Sequence, residues 1–240
     1  MSAIFVSANA SNCSPSSSTE IATVKWVYDG DTVKLTDGRK IRIIGIDTPE
    51  MPRKNKKGEA FAGQATKALR EKLAANNNQV RLQIGKKTVD KYHRQLAHLF
   101  TPDQQNLSEW LLEQGLATTL LIHPNFTFAE CYQKAERRAQ LAKTNIWSQT
   151  DFQIQTPAQL DKQFTGYVRL KGTVHRIKHR KRRVTLALDE KIYITIKEPE
   201  LKLFKNLDEL AGKTITVSGL LYRHKKNAYI RLLHPSYLEY

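Results

Sequence analysis

The chain has 240 residues, 40% of them hydrophobic, and its 39 Lys and Arg outnumber 23 Asp and Glu to give a formal charge of +16. The length allows one or two domains with their own cores, and no apolar run approaches the 18 or so residues of a membrane-spanning helix, which excludes that class. The excess of positive charge predicts a polyanionic partner, either nucleic acid or an anionic membrane, unless it serves solubility alone.

The first twenty residues predict a leader segment ahead of the folded chain. They are rich in Ser, and "SANA" has the small-x-small form of a signal-peptidase site. The apolar patch before it, Ala3–Val6, is too short for a complete export signal, so residues 1–20 are either a remnant of such a signal or a disordered leader. We expect an extracytoplasmic protein, periplasmic or secreted. In that compartment Cys13 and Cys131 could pair; the alternative is two free thiols.

Residues 21–150 predict one β-rich α+β domain. Strand patterns flank the Asp-Gly turn in "TDGR", which predicts a hairpin. The predicted strands are Ile21–Trp26, Val33–Leu35, Lys40–Ile46, Val80–Ile84 and Gln95–Phe100. Apolar residues at helical spacing predict three helices, at Glu59–Ala75, Asn106–Leu116 and Thr127–Leu141.

The sequence changes character after Trp147. Residues 151–165 have little periodicity and predict a linker. Residues 166–240 are dominated by short strand patterns, with one short helix predicted near Glu200–Leu210. Five strands in about 75 residues predict a second, small OB-like β-barrel.

A cluster of acids surrounds one arginine, Arg42, near the predicted strand ends of the first domain. The acids are Asp29, Asp31, Asp47 and Glu50. Carboxylates that converge repel each other unless a cation lies between them, and their oxygens are ligands that Ca²⁺ prefers. The alternative is that Asp29, Asp31 and Asp37 only stabilise turns.

Arg42 suits phosphate binding, because a guanidinium offers five fixed donors and keeps its charge. Arg42 and Asp47 are an odd number of residues apart, so a regular strand would place them on opposite faces. We therefore predict a bulge near Gly45 that redirects the chain.

Several separated segments resemble one known family. "YDGDTVKL", "IRIIGIDTPE", "DKYHRQLAHLF", "GLATTLL" and "AKTNIW" are similar, in this order, to segments of the staphylococcal nuclease (thermonuclease) family. The resemblance covers about residues 21–147. It implies a five-stranded OB-type barrel with three helices, and Ca²⁺-dependent cleavage of DNA and RNA to give 3′-phosphate ends.

The resemblance also implies roles for individual residues. Asp31 and Asp47 match the calcium ligands, and Thr48 matches the residue that offers its backbone carbonyl. Arg42 and Arg94 match the two arginines that bind phosphate. Glu50 matches the general base, although a carboxylate is ordinarily a weak base for water and could instead orient it.

The sequence departs from the family's pattern where tyrosines usually pack on the terminal nucleotide. Leu121 and His123 lie near those places in "TTLLIHPNF", whereas Tyr92 remains as a candidate substrate contact. His93 replaces a residue that is usually small. It could touch phosphate, and the alternative is a solvated surface histidine.

The second domain carries a dense basic run from His175 to Arg183. We expect it to contact phosphates. Its candidate substrate-binding residues are Arg176, Lys178, Arg180, Lys181, Arg182 and Arg183. Four tyrosines, at 167, 193, 222 and 229, could offer stacking faces or could be half-buried barrel residues. The segment weakly resembles an OB-fold nucleic-acid-binding domain.

These observations predict a Ca²⁺-dependent nuclease that acts on single-stranded or frayed DNA and RNA. The competing hypothesis is a non-catalytic nucleic-acid-binding protein that uses the nuclease barrel as a platform. The retained set of charged residues favours the enzyme. No membrane partner is expected, because no amphipathic helix of the required kind is present, and no obligate protein partner is evident.

Overall fold

The computed structural model describes residues 13–52, 54 and 57–240. Within these, the chain forms two compact units: the first holds residues 13–120 and 124–145, and the second holds residues 121–123 and 146–240. No helix in the described part of the chain is long and apolar enough to cross a membrane.

The first unit is a closed barrel with three helices. Its elements are β1 (Glu20–Asp29), β2 (Thr32–Leu35), β3 (Lys40–Ile43), β4 (Gly45–Asp47), α1 (Ala62–Ala74), β5 (Gln79–Val89), β6 (Gln95–Phe100), α2 (Leu107–Glu113), β7 (Thr118–Leu120) and α3 (Ala129–Ala142). The barrel order is β1-β2-β3-β6-β5, and β4 pairs with β7 outside it. The pair β3–β6 is parallel and the other barrel pairs are antiparallel.

The first unit folds as its patterns predict. Strand residues such as Val33, Ile41 and Leu99 are fully buried in the barrel. The predicted apolar face of the first helix, at Ala62, Ala65, Leu69 and Leu73, is the buried face of α1. Asn106 caps α2, where its side chain accepts hydrogen bonds from two backbone N–H groups.

The second unit repeats the strand order of the first. Its strands are β8 (Ile154–Gln155), β9 (Gly166–Thr173), β10 (Arg176–Arg180), β11 (Arg183–Ala187), β12 (Ile192–Lys197), β13 (Thr214–His224), β14 (Asn227–Leu232) and β15 (Leu238–Glu239). The sheet runs β10-β11-β12-β14-β13-β9-β8, with β12 and β14 parallel and β15 beside β13. Only Val174 and His175 separate β9 from β10, and their N–H groups donate to Lys213 and Ala187 at 3.0 and 2.9 Å. The sheet therefore returns to its starting strand, as an OB-type barrel does.

The predicted fold class is confirmed: a five-stranded barrel with three helices precedes a second small β unit. The single helix predicted near Glu200–Leu210 is wrong in detail. Two short 3₁₀ turns occur there, Glu200–Leu203 and Leu207–Leu210, and Asn206 between them has a left-handed backbone, which ends a helix.

Parts of the predicted linker and of the predicted leader pack against the two units. Residues 151–165 include β8, which pairs with β9, and Leu160, which is buried in the core of the second unit. Of the predicted leader, residues 1–12 lie outside the described residues. Cys13 is buried and forms a disulfide with Cys131, with Cα atoms 5.8 Å apart. Ser16 exchanges two hydrogen bonds of 3.0 Å with the Gln83 side chain on β5.

The barrel strand β6 carries a buried histidine. His98 is almost fully buried on β6, its Nδ1 lies 2.8 Å from the Tyr132 hydroxyl, and its ring packs edge-on against Phe128. Burial lowers the pKa of His98 to about 3, since the charged imidazolium has no water around it.

We predict that this histidine makes the first unit acid-sensitive. The unfolded chain binds a proton at His98 below pH 6.5 while the folded chain does not until about pH 3, so stability falls as the pH drops below 6.5. Between pH 6.5 and 5 the loss reaches about 2 kcal/mol. His98→Gln should flatten this dependence, measured by urea unfolding at several pH values. The exposed His93→Gln should not, and equal slopes for wild type and His98→Gln would contradict the assignment.

Candidate active site

The ends of two strands bring the predicted acids together. Asp31 lies in the β1–β2 turn and is 6% exposed. Its Oδ2 accepts hydrogen bonds from the backbone N–H and the hydroxyl of Thr48, just after β4, at 3.1 and 3.2 Å. Residues separated by 17 positions therefore share one polar cluster.

Arg42 lies between the two predicted metal-binding carboxylates. Its Nη2 is 3.1 Å from Asp31 Oδ2 and 3.0 Å from Asp47 Oδ1. Its Nη1 donates to the carbonyl of Ile43 at 2.7 Å, and the side chain is 11% exposed. One guanidinium thus faces two carboxylates in a mostly buried position, where Coulomb interactions are strong.

The chain changes its pairing partner between Arg42 and Asp47. Ile43 pairs with β6, whereas Gly45 already pairs with Leu120 on β7. The bulge predicted near Gly45 is wrong: the ladder does end there, but the chain switches to another strand instead of bulging within one ladder. Gly45 has φ +91°, and a Cβ there would overlap the ring of Tyr132 on α3. Only glycine fits here, and this switch lets Asp47 reach Arg42.

Arg94 joins the cluster through a hydroxyl. Its Nη1 lies 3.3 Å from Thr32 Oγ1, which in turn donates to Asp31 Oδ1 at 2.9 Å. Asp90 fixes the guanidinium from the other side, because its carboxylate accepts from Arg94 Nε at 2.7 Å and from the Arg94 backbone N–H at 2.9 Å. Sequence reasoning missed Asp90, although an Asp placed to accept from N–H groups two and four residues on is a turn signal.

Negative charge exceeds positive charge around Asp47. Burial raises the pKa of Asp47 to about 6; Arg42 opposes this, and the carboxylates of Asp31, Glu50 and Glu59 add to it. Burial also raises the pKa of Asp29 to about 6, and the charge of Asp31 adds to the effect. A divalent cation would relieve this repulsion.

The oxygen donors fit a hard cation. Asp31 and Asp47 could supply carboxylate oxygens and Thr48 its backbone carbonyl, which are ligand types that Ca²⁺ and Mg²⁺ accept. Few protein ligands leave positions for water and for substrate phosphate. This suits a catalytic ion better than a structural one.

Glu50 lies three residues after Asp47 and is half-buried. Its backbone N–H donates to Glu59 Oε2 at 3.0 Å, and the Glu59 N–H donates to the Glu50 carbonyl at 2.9 Å. Glu59, which sequence analysis did not single out, therefore fixes the backbone at Glu50 and adds its charge near Asp47.

The remaining predicted site residues lie outside this cluster. Tyr92 is 65% exposed, with Arg94 over its ring at 5.4 Å, so it flanks the site. His93 is exposed with φ +60°, a left-handed turn conformation that glycine would adopt with less strain. Leu121 is buried and donates its N–H to the Tyr237 hydroxyl at 2.8 Å within the second unit. The exposed basic residues belong to the β10–β11 hairpin: Arg176, Lys178, Arg180, Lys181, Arg182 and Arg183.

Comparisons with known proteins point to one family. The family model described as staphylococcal nuclease homologue matches residues 40–149. Thermonuclease from Staphylococcus hyicus is 34% identical over 125 residues, which cover 51% of this chain and 72% of that protein. Thermonuclease from Staphylococcus intermedius is 33% identical over 127 residues, covering 52% and 74%. The SPbeta prophage-derived endonuclease YokF of Bacillus subtilis (strain 168) is 31% identical over 156 residues, covering 63% and 50%.

We predict that Gly45→Ala disrupts the site by disrupting the fold around it. The added methyl group meets the Tyr132 ring and forces a left-handed backbone on alanine, so the free energy of unfolding should fall by about 2–5 kcal/mol. Gly38→Ala is the matched control, because Gly38 has φ +95° but nothing within 4 Å of its Cβ position. Chemical denaturation of both variants measures the difference. Equal losses would show that the overlap with Tyr132 is relieved at no cost.

Proposed function

Because the chain belongs to the staphylococcal nuclease family, we propose that it is a calcium-dependent nuclease that hydrolyses phosphodiester bonds of DNA and RNA and leaves 3′-phosphate ends. The observation that carries the proposal is Arg42, whose single Nη2 lies within 3.1 Å of both Asp31 and Asp47. A chain that used this barrel only as a platform would have no need of so many converging charges in a mostly buried place.

Asp31, Asp47 and the Thr48 carbonyl would hold the calcium ion. When bound, the ion supplies positive charge that polarises the scissile phosphate. Calcium, rather than magnesium, rests on the family resemblance, since the oxygen donors suit both ions. Burial of Asp31 fixes the position of its carboxylate before substrate arrives.

Arg42 and Arg94 act on the phosphate itself. Attack of water builds negative charge on the equatorial phosphate oxygens, and two guanidinium groups that donate to these oxygens stabilise the transition state more than the ground state. Asp90 keeps Arg94 in place, so little ordering is needed when the phosphate binds.

In this proposal Glu50 receives the proton of the attacking water or orients that water. The oxygen of the water forms a bond to phosphorus while the bond to the 5′-oxygen breaks. The 5′-oxygen takes a proton from solvent and leaves as a hydroxyl, and phosphate remains on the 3′ side. Glu59 supports this role because it bonds to both the backbone N–H and the backbone carbonyl of Glu50.

The proposed substrates are single-stranded or frayed nucleic acids. Tyr92 beside Arg94 offers an exposed ring for the nucleotide next to the scissile phosphate. The basic β10–β11 hairpin, from Arg176 to Arg183, supplies cations for phosphates further along the polymer. We also propose an extracytoplasmic location, which the Cys13–Cys131 disulfide supports because such bonds persist in oxidising compartments.

We predict that cleavage requires Ca²⁺ and Asp31. End-labelled single- and double-stranded DNA and RNA should be cut with Ca²⁺ and left intact with EDTA, and mapping should show 3′-phosphate ends. Asp31→Asn should weaken calcium binding, measured calorimetrically, and lower turnover by about 10²-fold or more. Full activity in EDTA, or in Asp31→Asn, would rule out the calcium-dependent mechanism. Nucleic-acid binding without any cleavage would favour the platform hypothesis.

We predict that Arg42→Lys lowers turnover by about 10²–10³-fold although it keeps the charge, because lysine loses the fork that meets two phosphate oxygens. Arg39→Lys is the matched control on the same hairpin: Arg39 pairs with Glu20 and Asp37 instead. Single-turnover rates at saturating Ca²⁺ measure the effect. A wild-type rate in Arg42→Lys would make Arg42 a structural partner of the two aspartates.

A further inference from the structure

Three tyrosines form a continuous row across neighbouring strands of the second unit. Tyr229 on β14 pairs directly with Tyr222 on β13 and with Tyr193 on β12. Both pairs of ring centroids are 5.5 Å apart, with planes inclined by 21° and 26°. We call Tyr222, Tyr229 and Tyr193 the tyrosine row.

The tyrosine row lies on the outer face of the barrel. The neighbours of its members along each strand, such as Ile192, Leu221 and Ile230, are buried in the core, and side chains alternate between faces. Tyr222 is 43% exposed, and Leu220, two residues before it on the same face, is 50% exposed. This face therefore presents apolar side chains away from the core.

Two of the three rings are anchored by hydrogen bonds at their hydroxyls. The Tyr193 hydroxyl donates to the Glu190 carbonyl at 2.7 Å, and the Asn227 side-chain N–H donates to the Tyr229 hydroxyl oxygen at 3.3 Å. A rigid aromatic surface loses little conformational entropy when it binds a flat partner.

Cations extend the row on the same face. Tyr193 pairs with Ala187 on β11, and Ala187 pairs with Arg176 on β10. Lys178 and Arg180 follow Arg176 at two-residue intervals, so they share its face, while Ile177 between them packs against the core. The distance from Tyr222 across the sheet to Arg176 is four strand spacings, or about 19 Å.

This combination fits one class of ligand. Single-stranded nucleic acid exposes both base faces, which stack on tyrosine, and phosphates, which pair with Arg and Lys. A duplex hides its base faces and is therefore a poorer partner for exposed rings. Residues 151–240 carry 18 Lys and Arg against nine Asp and Glu, and this excess of positive charge disfavours a cationic partner. Stacking alone can also stabilise a sheet, but it does not require a ring as exposed as Tyr222.

We propose that the outer face of the second unit is a binding site for single-stranded DNA or RNA, in which the tyrosine row contacts bases and Arg176 and Lys178 contact phosphates. This deepens the proposed function, since it names the part that holds the polymer. Binding at this site needs neither a metal ion nor cleavage, so it is tested separately from the chemistry.

The test measures fluorescence anisotropy of labelled oligonucleotides with the full chain in EDTA, where no cleavage is expected. The probes are oligo-dT and oligo-U of about 15 nucleotides and a duplex of the same length. Tyr222→Leu should weaken binding of the single strands by about 5- to 150-fold, the loss of one stacked base, and leave duplex binding unchanged. Tyr222→Phe keeps the ring and should bind as wild type does. If only one of the two single strands loses affinity, the site is assigned to that polymer.

Tyr240→Leu is the matched control, because Tyr240 is 75% exposed in the same unit but outside the row. A second variant, Arg176→Ala with Lys178→Ala, alters only exposed charges and should lower the slope of log affinity against log salt by about 1.4. Wild-type affinity in Tyr222→Leu, an equal loss in Tyr240→Leu or an unchanged salt slope in the double variant would overturn the proposal. If wild type binds the oligonucleotides as expected but never cleaves them with Ca²⁺, the proposed function fails and this site stands.

Discussion

The placement of one guanidinium between two carboxylates is the constraint on which the first unit depends. The pairing of β2 with β3 brings Arg42 beside Asp31, and Asp47 reaches Arg42 because the chain leaves the barrel at Gly45. Gly45 in turn lies against the ring of Tyr132, whose hydroxyl bonds to His98 and Asn106 in the core. The geometry of a polar cluster near the surface is thus set by packing between α3 and the barrel wall.

The two barrels show that one strand order can carry different arrangements of polar and aromatic side chains. In the first, polar side chains gather at strand ends and next to turns, where backbone N–H groups such as that of Thr48 are available to carboxylates. In the second, the outer face of the strands carries aromatic rings and cations that repeat from strand to strand. The polar side chains of the first unit converge on one point, whereas the exposed rings and cations of the second unit extend across several strands.

The sequence predicted the barrel strands, the buried face of α1 and the cluster around Arg42, because these follow from short-range periodicity and from segments that resemble a family. It did not predict the part played by Asp90 or Glu59, since each acts through backbone N–H groups whose direction depends on the local turn. It left Tyr193 and Tyr229 open between core and surface, because only the register between strands decides which residues become neighbours. The packing of Leu160 and the docking of Ser16 were missed for a related reason: contacts over long sequence separations leave no local pattern.

The disulfide from Cys13 to Cys131 has a consequence for how the first unit responds to proteolysis. It joins positions 118 residues apart, so the strands and turns that carry Asp31, Arg42, Asp47 and Arg94 all lie inside one covalent ring. A single peptide bond cut in an exposed loop of that ring leaves both fragments tethered and lets the barrel close again, because the cut pieces remain at high effective concentration. The segment that anchors the ring, with Cys13 buried and Ser16 bonded to Gln83, therefore protects a site from which it is remote in sequence.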